Sequence, residues 1–141
     1  MTSKKMLIAA SLQLFDIITK LLFTDDKKER ELPTLTKLAL VQNRDNLAGD
    51  ILLFRQDVAS IKEELGINSE TVENLTPEQN EQFEEKIKKA LARVVEHTFV
   101  PVSREDLEYI NDIQFTTEDL SLIAATLLTS EEVVKESSSQ E

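Results

Sequence analysis

Cysteine is absent, glycine occurs only at Gly49 and Gly66, and proline only at Pro33, Pro77 and Pro101. Without cysteine there are no disulfides, no thiolate metal sites and no cysteine nucleophile, which fits a reducing compartment. Two glycines cannot build a phosphate-cradling loop. So few turn-forming residues also exclude a β-sandwich or barrel, which needs a turn signal every ~8–12 residues. A membrane-spanning helix needs ~20 largely apolar residues, and Gln13, Asp16 and Lys20 interrupt the best stretch. Lys4 and Lys5 before Met6-Leu7-Ile8-Ala9-Ala10 imitate the start of a secretory signal, but no small-x-small cleavage site ends the segment. The expectation is a cytoplasmic protein.

What is present is unevenly charged. The chain carries 27 Asp and Glu against 16 Lys and Arg, a net of −11. Residues 1–60 hold nine basic and eight acidic side chains, whereas residues 61–141 hold seven and nineteen. An acidic surface repels phosphate backbones and anionic membranes and favours basic partners. Direct nucleic-acid or membrane binding is therefore not expected, and solubility alone also accounts for the acidity.

The 141 residues are 40% hydrophobic, which suits one domain with a core of its own. Apolar periodicity is helical throughout. Residues 4–23 read as one helix on which Gln13, Asp16, Thr19 and Lys20 share a polar arc. Leu7, Leu14, Ile18, Leu21 and Leu22 form the opposite stripe with Phe15, and Met6, Ile8, Leu12 and Phe23 extend it sideways. Pro33 fits the first turn of a second helix reaching about Asn43, with Leu35, Leu38 and Val41 or Ala39 expected to face inward. Asp45 then reads as the N-cap of a third, whose Leu47, Ile51, Phe54, Val58, Ile61 and Leu65 recur at spacings of 4, 3, 4, 3 and 4. Gly66 supplies the left-handed residue that ends it, and Ile67 the apolar contact that often follows.

Thr76-Pro77-Glu78-Gln79 opens the next helix with a capping box, a proline at the first position and an acid at the positive dipole end. Phe83, Ile87, Ala90, Leu91 and Val94 form its stripe. Pro101 forces Val100 extended. Ser103 with Asp106 then caps a short helix ending near Ile113, and Thr116 with Asp119 caps a last one, striped by Leu120, Ile123, Ala124, Leu127 and Leu128. Residues 135–141 (KESSSQE) offer no apolar side chain to anchor them and are expected to be disordered. The fold expected is thus all-α, a single-domain bundle of about five or six helices over residues 1–134. Residues 66–76 mark the one place where it would divide.

Catalytic equipment is sparse. His97 is the only histidine, and no motif joins it to a nucleophile and an orienting acid. It reads as a polar residue near a helix C-terminus, where imidazolium meets the negative dipole end. The acid pairs Asp25/Asp26, Glu63/Glu64, Glu84/Glu85 and Glu131/Glu132 fall in connectors or on exposed faces, without the convergence a metal or acid–base site requires. The stretch from Asn43 to Asp50 is not a calcium loop, because Leu47 stands at a ligand position and Gly49 is one place late. Lys86, Lys89 and Arg93 form a small basic stripe without interleaved aromatics, which fits a solvated helix face. No cofactor and no small-molecule substrate are indicated.

In general style, meaning small, acidic, helical and polar-tailed, the chain resembles bacteriophage morphogenesis chaperones. That resemblance lies in composition, covers no motif and transfers no residues. The function expected is non-enzymatic: an adaptor, assembly factor or small structural subunit presenting an apolar helix face. The candidate partner-binding residues are Met6, Ile8, Leu12, Phe15 and Phe23, with a homodimer as the simplest case because like patches pair under two-fold symmetry. An acidic nucleic-acid mimic and a small helical subunit of a nucleoprotein complex are the alternatives.

Overall fold

The computed structural model describes residues 3–68, 73–108 and 110–128. In chain order these form β1 (Ser3–Leu7), α1 (Ile8–Leu22), α2 (Thr34–Glu64), α3 (Pro77–Leu91), β2 (Val94–Thr98), α4 (Arg104–Glu108) and α5 (Thr117–Thr126). The protein is mostly α-helical, but a two-stranded antiparallel sheet corrects the all-α expectation. The polar tail at 135–141 lies outside the described residues.

The first helix starts four residues later than periodicity predicts. Ser3–Leu7 is extended and pairs with β2 in the register Ser3↔Thr98, Lys4↔His97, Lys5↔Glu96, Met6↔Val95 and Leu7↔Val94. The Ile8 N–H carries the ladder one step further by donating to the Arg93 carbonyl at 2.8 Å. That bond stands where a side-chain cap would, since Leu7 offers none. Opposite charges face each other at Lys5 and Glu96, and the Ser3 hydroxyl donates to the Glu96 carboxylate at 2.5 Å. β2 takes residues that the helical stripe would have absorbed. Its Val94, Val95 and Thr98 are β-branched, which favours a strand over another helical turn.

α1 is the centre of the molecule. Ile8, Ser11, Leu14, Ile17, Ile18, Leu21 and Leu22 are buried along one face, and the helix packs on both α2 and α5. Ser11 Oγ is enclosed in that face without a hydrogen-bond partner. α2 is one helix of 31 residues where the sequence suggested two. Pro33 stands at its N-cap rather than inside the first turn, and the helix runs unbroken through Asn43–Asn46. The stretch that superficially matched a calcium loop is therefore helical throughout.

The buried face of α2 is Thr36, Ala39, Leu40, Asn43, Leu47 and Asp50. It continues into the predicted seam, but only Leu47 of that seam is fully enclosed, and Ile51, Phe54, Val58, Ile61 and Leu65 are half-buried. Length explains this. At 1.5 Å per residue α2 is ~46 Å long and α1 only ~22 Å, so the second half of α2 outruns its main partner. That half is backed instead by α3, which itself has no fully buried residue.

The helix ends behave as their sequences demand. Gly66 sits at φ 71°, the Gly66 N–H donates to the Glu63 carbonyl and the Ile67 N–H to the Lys62 carbonyl, and Ile67 is buried. This is a complete Schellman closure. Thr76 and Gln79 form both bonds of a capping box, as do Thr116 and Asp119. Gln79 also donates from its side chain to the Leu65 carbonyl at 3.3 Å, which ties the start of α3 to the end of α2. α4 is shorter than expected, ending at Glu108. Val102 then hydrogen-bonds the Leu127 carbonyl and is buried with Ile123 and Leu127, while Leu120 is 53% exposed.

Arg30 closes the loop between α1 and α2. Its side chain is 10% exposed, its Nε donates to the Lys20 carbonyl at 2.9 Å, and its two Nη atoms grip the Asp112 carboxylate at 2.7 and 3.0 Å. The guanidinium bonds hold the Asp112 carboxyl below its ordinary value. A depressed folded pKa gives stability that is present above the unfolded value, about 3.9, and is lost as pH falls through the folded one. Melting temperature followed from pH 6 to pH 2 should therefore fall less steeply below pH 4 in Arg30→Gln than in the parent. Parallel acid limbs would mean the pair contributes nothing to acid sensitivity.

Candidate interaction surface

The sequence-predicted set does not form one face. Ile8 is 1% exposed and belongs to the core. Met6 is half-buried in β1 opposite Val95, and its strand position removes it from the helix face on which it was placed. Leu12, Phe15 and Phe23 are half-buried, and Phe15 and Phe23 pack against the hydrophobic core.

Arg44 of α2 brings two of these together. Its guanidinium carbon stands 4.7 Å from the Phe15 ring centroid and 5.9 Å from that of Phe23. Arg44 Nε donates to the Thr19 hydroxyl at 3.1 Å, and that hydroxyl donates to the Phe15 carbonyl at 2.9 Å. The Thr19 bond aims the guanidinium at the rings, where the cation meets the negative face of each π system. Nothing in the spacing of Arg44 to Phe15 or Phe23 signals this, because the contact depends on how two helices cross.

His97 lies on β2 rather than at a helix end. Its Nε2 is 2.5 Å from Asp50 Oδ2, with the two side chains 13% and 10% exposed, and its ring stands 6.0 Å from that of Phe99. Asn43 holds the backbone of Val100, three residues beyond His97, from both sides: Nδ2 donates to the carbonyl at 2.9 Å and Oδ1 accepts the N–H at 2.7 Å. Asn46 Nδ2 adds a bond to the Thr98 carbonyl at 3.3 Å. Asn43, Asn46 and Asp50 thus form a polar seam on α2 that receives β2 and the chain after it. The sequence reading missed all three. The described contacts of the seam are with backbone groups and one imidazole, and no nucleophile hydrogen-bonds the His97–Asp50 pair among the described residues.

No group of three or more His, Asp or Glu side chains that could hold a metal ion occurs among the described residues. No described helix is long and apolar enough to cross a membrane. A groove of about 360 Å³ lies where α1, α4 and α5 meet, walled by Leu21, Leu107, Phe115, Leu120 and Ile123. Leu120 in its wall is 53% exposed, and the other large exposed apolar side chains lie elsewhere. Leu35, Leu38, Val41 and Leu52 all project from α2, at 80, 51, 39 and 58% exposure. Leu7 and Val94, cross-strand neighbours at 46 and 61%, close the end of the sheet from which α1 starts. Compared with protein-family models, with curated proteins and with solved structures, the chain matches none.

Proposed function

We propose that this chain is a non-enzymatic interaction protein, an adaptor, assembly factor or small structural subunit, whose contact surface is the outer side of α2. The observation that carries this reading is the concentration of exposed leucine and valine on one helix. Leu38, Val41 and Leu52 stand on the side of α2 opposite its buried stripe, at 51, 39 and 58% exposure. Single exposed apolar residues are ordinary, whereas several aligned on one helix side have the character of a contact surface. An assembly chaperone of the bacteriophage type is one form such a function takes, and the compositional resemblance favours it among the specific possibilities. The flank of α1 with Leu12, Phe15 and Phe23 is the second candidate surface.

Affinity capture with the full chain tests the reading and locates the surface. A partner retained by the parent and by Leu12→Glu, but lost from folded Leu52→Glu, is the expected result. Loss with Leu12→Glu alone moves the surface to the α1 flank. Indifference of every binding partner to both variants overturns the proposal.

A further inference from the structure

The outer side of α2 is more ordered in sequence than its exposure alone requires. Leu38, Val41, Asp45, Ala48, Leu52, Arg55 and Ala59 recur at spacings of 3, 4, 3, 4, 3 and 4, and every one of them is exposed. At ~100° per residue this row lies roughly opposite the buried row that runs through Thr36, Leu40, Asn43, Leu47 and Asp50. α2 therefore carries two seams of heptad type. One faces the rest of the chain, and the other faces solvent. A helix needs only one such seam to join its own core.

The residues of the outer seam are complementary to the same seam run backwards. With a two-fold axis crossing the helix at the level of Asp50, Asp45 of one copy falls opposite Arg55 of the other. Ala48 falls opposite Leu52, and Val41 opposite Ala59. Just past the apolar row, Lys37 falls opposite Glu63. Three of the four layers thus pair a small side chain with a larger one or an acid with a base, and the outermost sets Leu38 against Lys62, whose aliphatic stem can lie along it. The alternation of a against d positions that this register requires is that of an antiparallel helix pair. A parallel pair would instead set Asp45 against Asp45 and Arg55 against Arg55 at its core.

Two further observations fit close approach. Gly49 stands beside the axis with nothing within 4 Å of where a β-carbon would be, so the backbone there is open to a neighbour. Neither Asp45 nor Arg55 makes an ion pair among the described residues, so both charges are available. The seam from Leu38 to Ala59 carries one acid and one base, in a chain whose net charge is −11. Most of this surface would repel a second copy, and this strip would not.

We infer that the occupant of the outer seam of α2 is a second copy of this chain, bound antiparallel about a two-fold axis at Asp50. The inference rests on the reading of α2 as the contact surface and names its partner. One helix pair is a small interface, so association is weak.

Two experiments decide it. Sedimentation equilibrium of the full chain up to several hundred micromolar should show a monomer–dimer equilibrium. Asp45→Arg places two like-charge pairs in the interface and should raise Kd at least tenfold. Arg55→Asp should do the same, and the double exchange Asp45→Arg/Arg55→Asp should return Kd to within about threefold of the parent. All the exchanged positions are exposed, and unchanged helical circular dichroism verifies the fold. Because the chain has no cysteine, engineered thiols report direction without background. Val41→Cys mixed with Ala59→Cys should oxidise to a mixed dimer, while Val41→Cys alone should not, since its two thiols would stand ~27 Å apart along the axis.

Overturning results are a strict monomer at the highest concentration, a dimer whose Kd ignores the charge exchanges, or efficient Val41–Val41 cross-linking in the cysteine variant. A strict monomer that still loses a captured partner with Leu52→Glu would refute self-pairing and leave α2 as a surface for another protein. Loss of both behaviours would remove the surface altogether.

Discussion

Replacing Asn43 by alanine should cost about 2–5 kcal/mol in urea or thermal unfolding, although the residue carries neither charge nor apolar bulk. The reason is the stretch of chain it serves. β2 ends at Thr98, Phe99 turns into the core at 4% exposure, and Pro101 holds Val100 extended. The Val100 N–H and carbonyl therefore have no strand partner. Asn43 gives them one, because a carboxamide offers one acceptor and one donor with the spacing of a peptide group, and it does so at 0% exposure. Alanine removes both bonds and leaves two backbone groups enclosed and unpaired, each costing about 1–3 kcal/mol. Asn43→Asp should be no better, since it keeps the acceptor, loses the donor and sets a carboxylate against the Val100 carbonyl. A loss below 1 kcal/mol for Asn43→Ala would show that water replaces the amide and that Val100 is not sealed.

Asn43 also shows where sequence reasoning reaches its limit. Everything decided within a few residues was legible. Thr76-Pro77-Glu78-Gln79 and Thr116 with Asp119 cap their helices as read, and Gly66 with Ile67 closes α2, because caps and Schellman closures are contacts between near neighbours. The wide apolar side of residues 4–23 was legible, and α1 buries it against α2 and α5. What failed was non-local. Ser3–Leu7 has the apolar content of a helix start, and only pairing with residues more than 85 positions away makes it a strand. Asn43–Asn46 reads as a helix boundary, since Asn and Asp favour caps in isolation. In the fold Asn43 and Asp50 are interior positions of a helix, turned inward to receive β2. The predicted contact set is divided for a related reason. Ile8 and Leu12 are equally apolar, and only the crossing of α1 over α2 decides which of them is enclosed. Leu35, Leu38 and Val41 read as inward-facing, whereas they are 80, 51 and 39% exposed and Ala39 is the buried residue of that turn.

The same polar seam makes His97 a second residue whose loss should be costly. His97→Ala removes the imidazole and leaves the Asp50 carboxylate enclosed at the middle of α2 with its side chain 10% exposed. An uncompensated buried charge costs about 3–5 kcal/mol, more than the pair itself contributes over apolar replacements of similar volume. The expectation is therefore asymmetric. His97→Ala should destabilise strongly, and Asp50→Leu less, because a neutral imidazole left behind is a smaller penalty than a carboxylate. The double variant His97→Leu/Asp50→Leu should recover much of the loss of His97→Ala, because no unpaired polar group remains between β2 and α2. A double-mutant cycle in urea reads this directly as a coupling that opposes simple addition. Additive losses, or a His97→Ala change below 1 kcal/mol, would show that solvent reaches Asp50 and that the pair is no clamp. The cycle also separates structure from chemistry at the only histidine of the chain. A double variant that is folded would place His97 among the residues that hold β2 in position, since both side chains of the pair would then be dispensable once their mutual burial is removed.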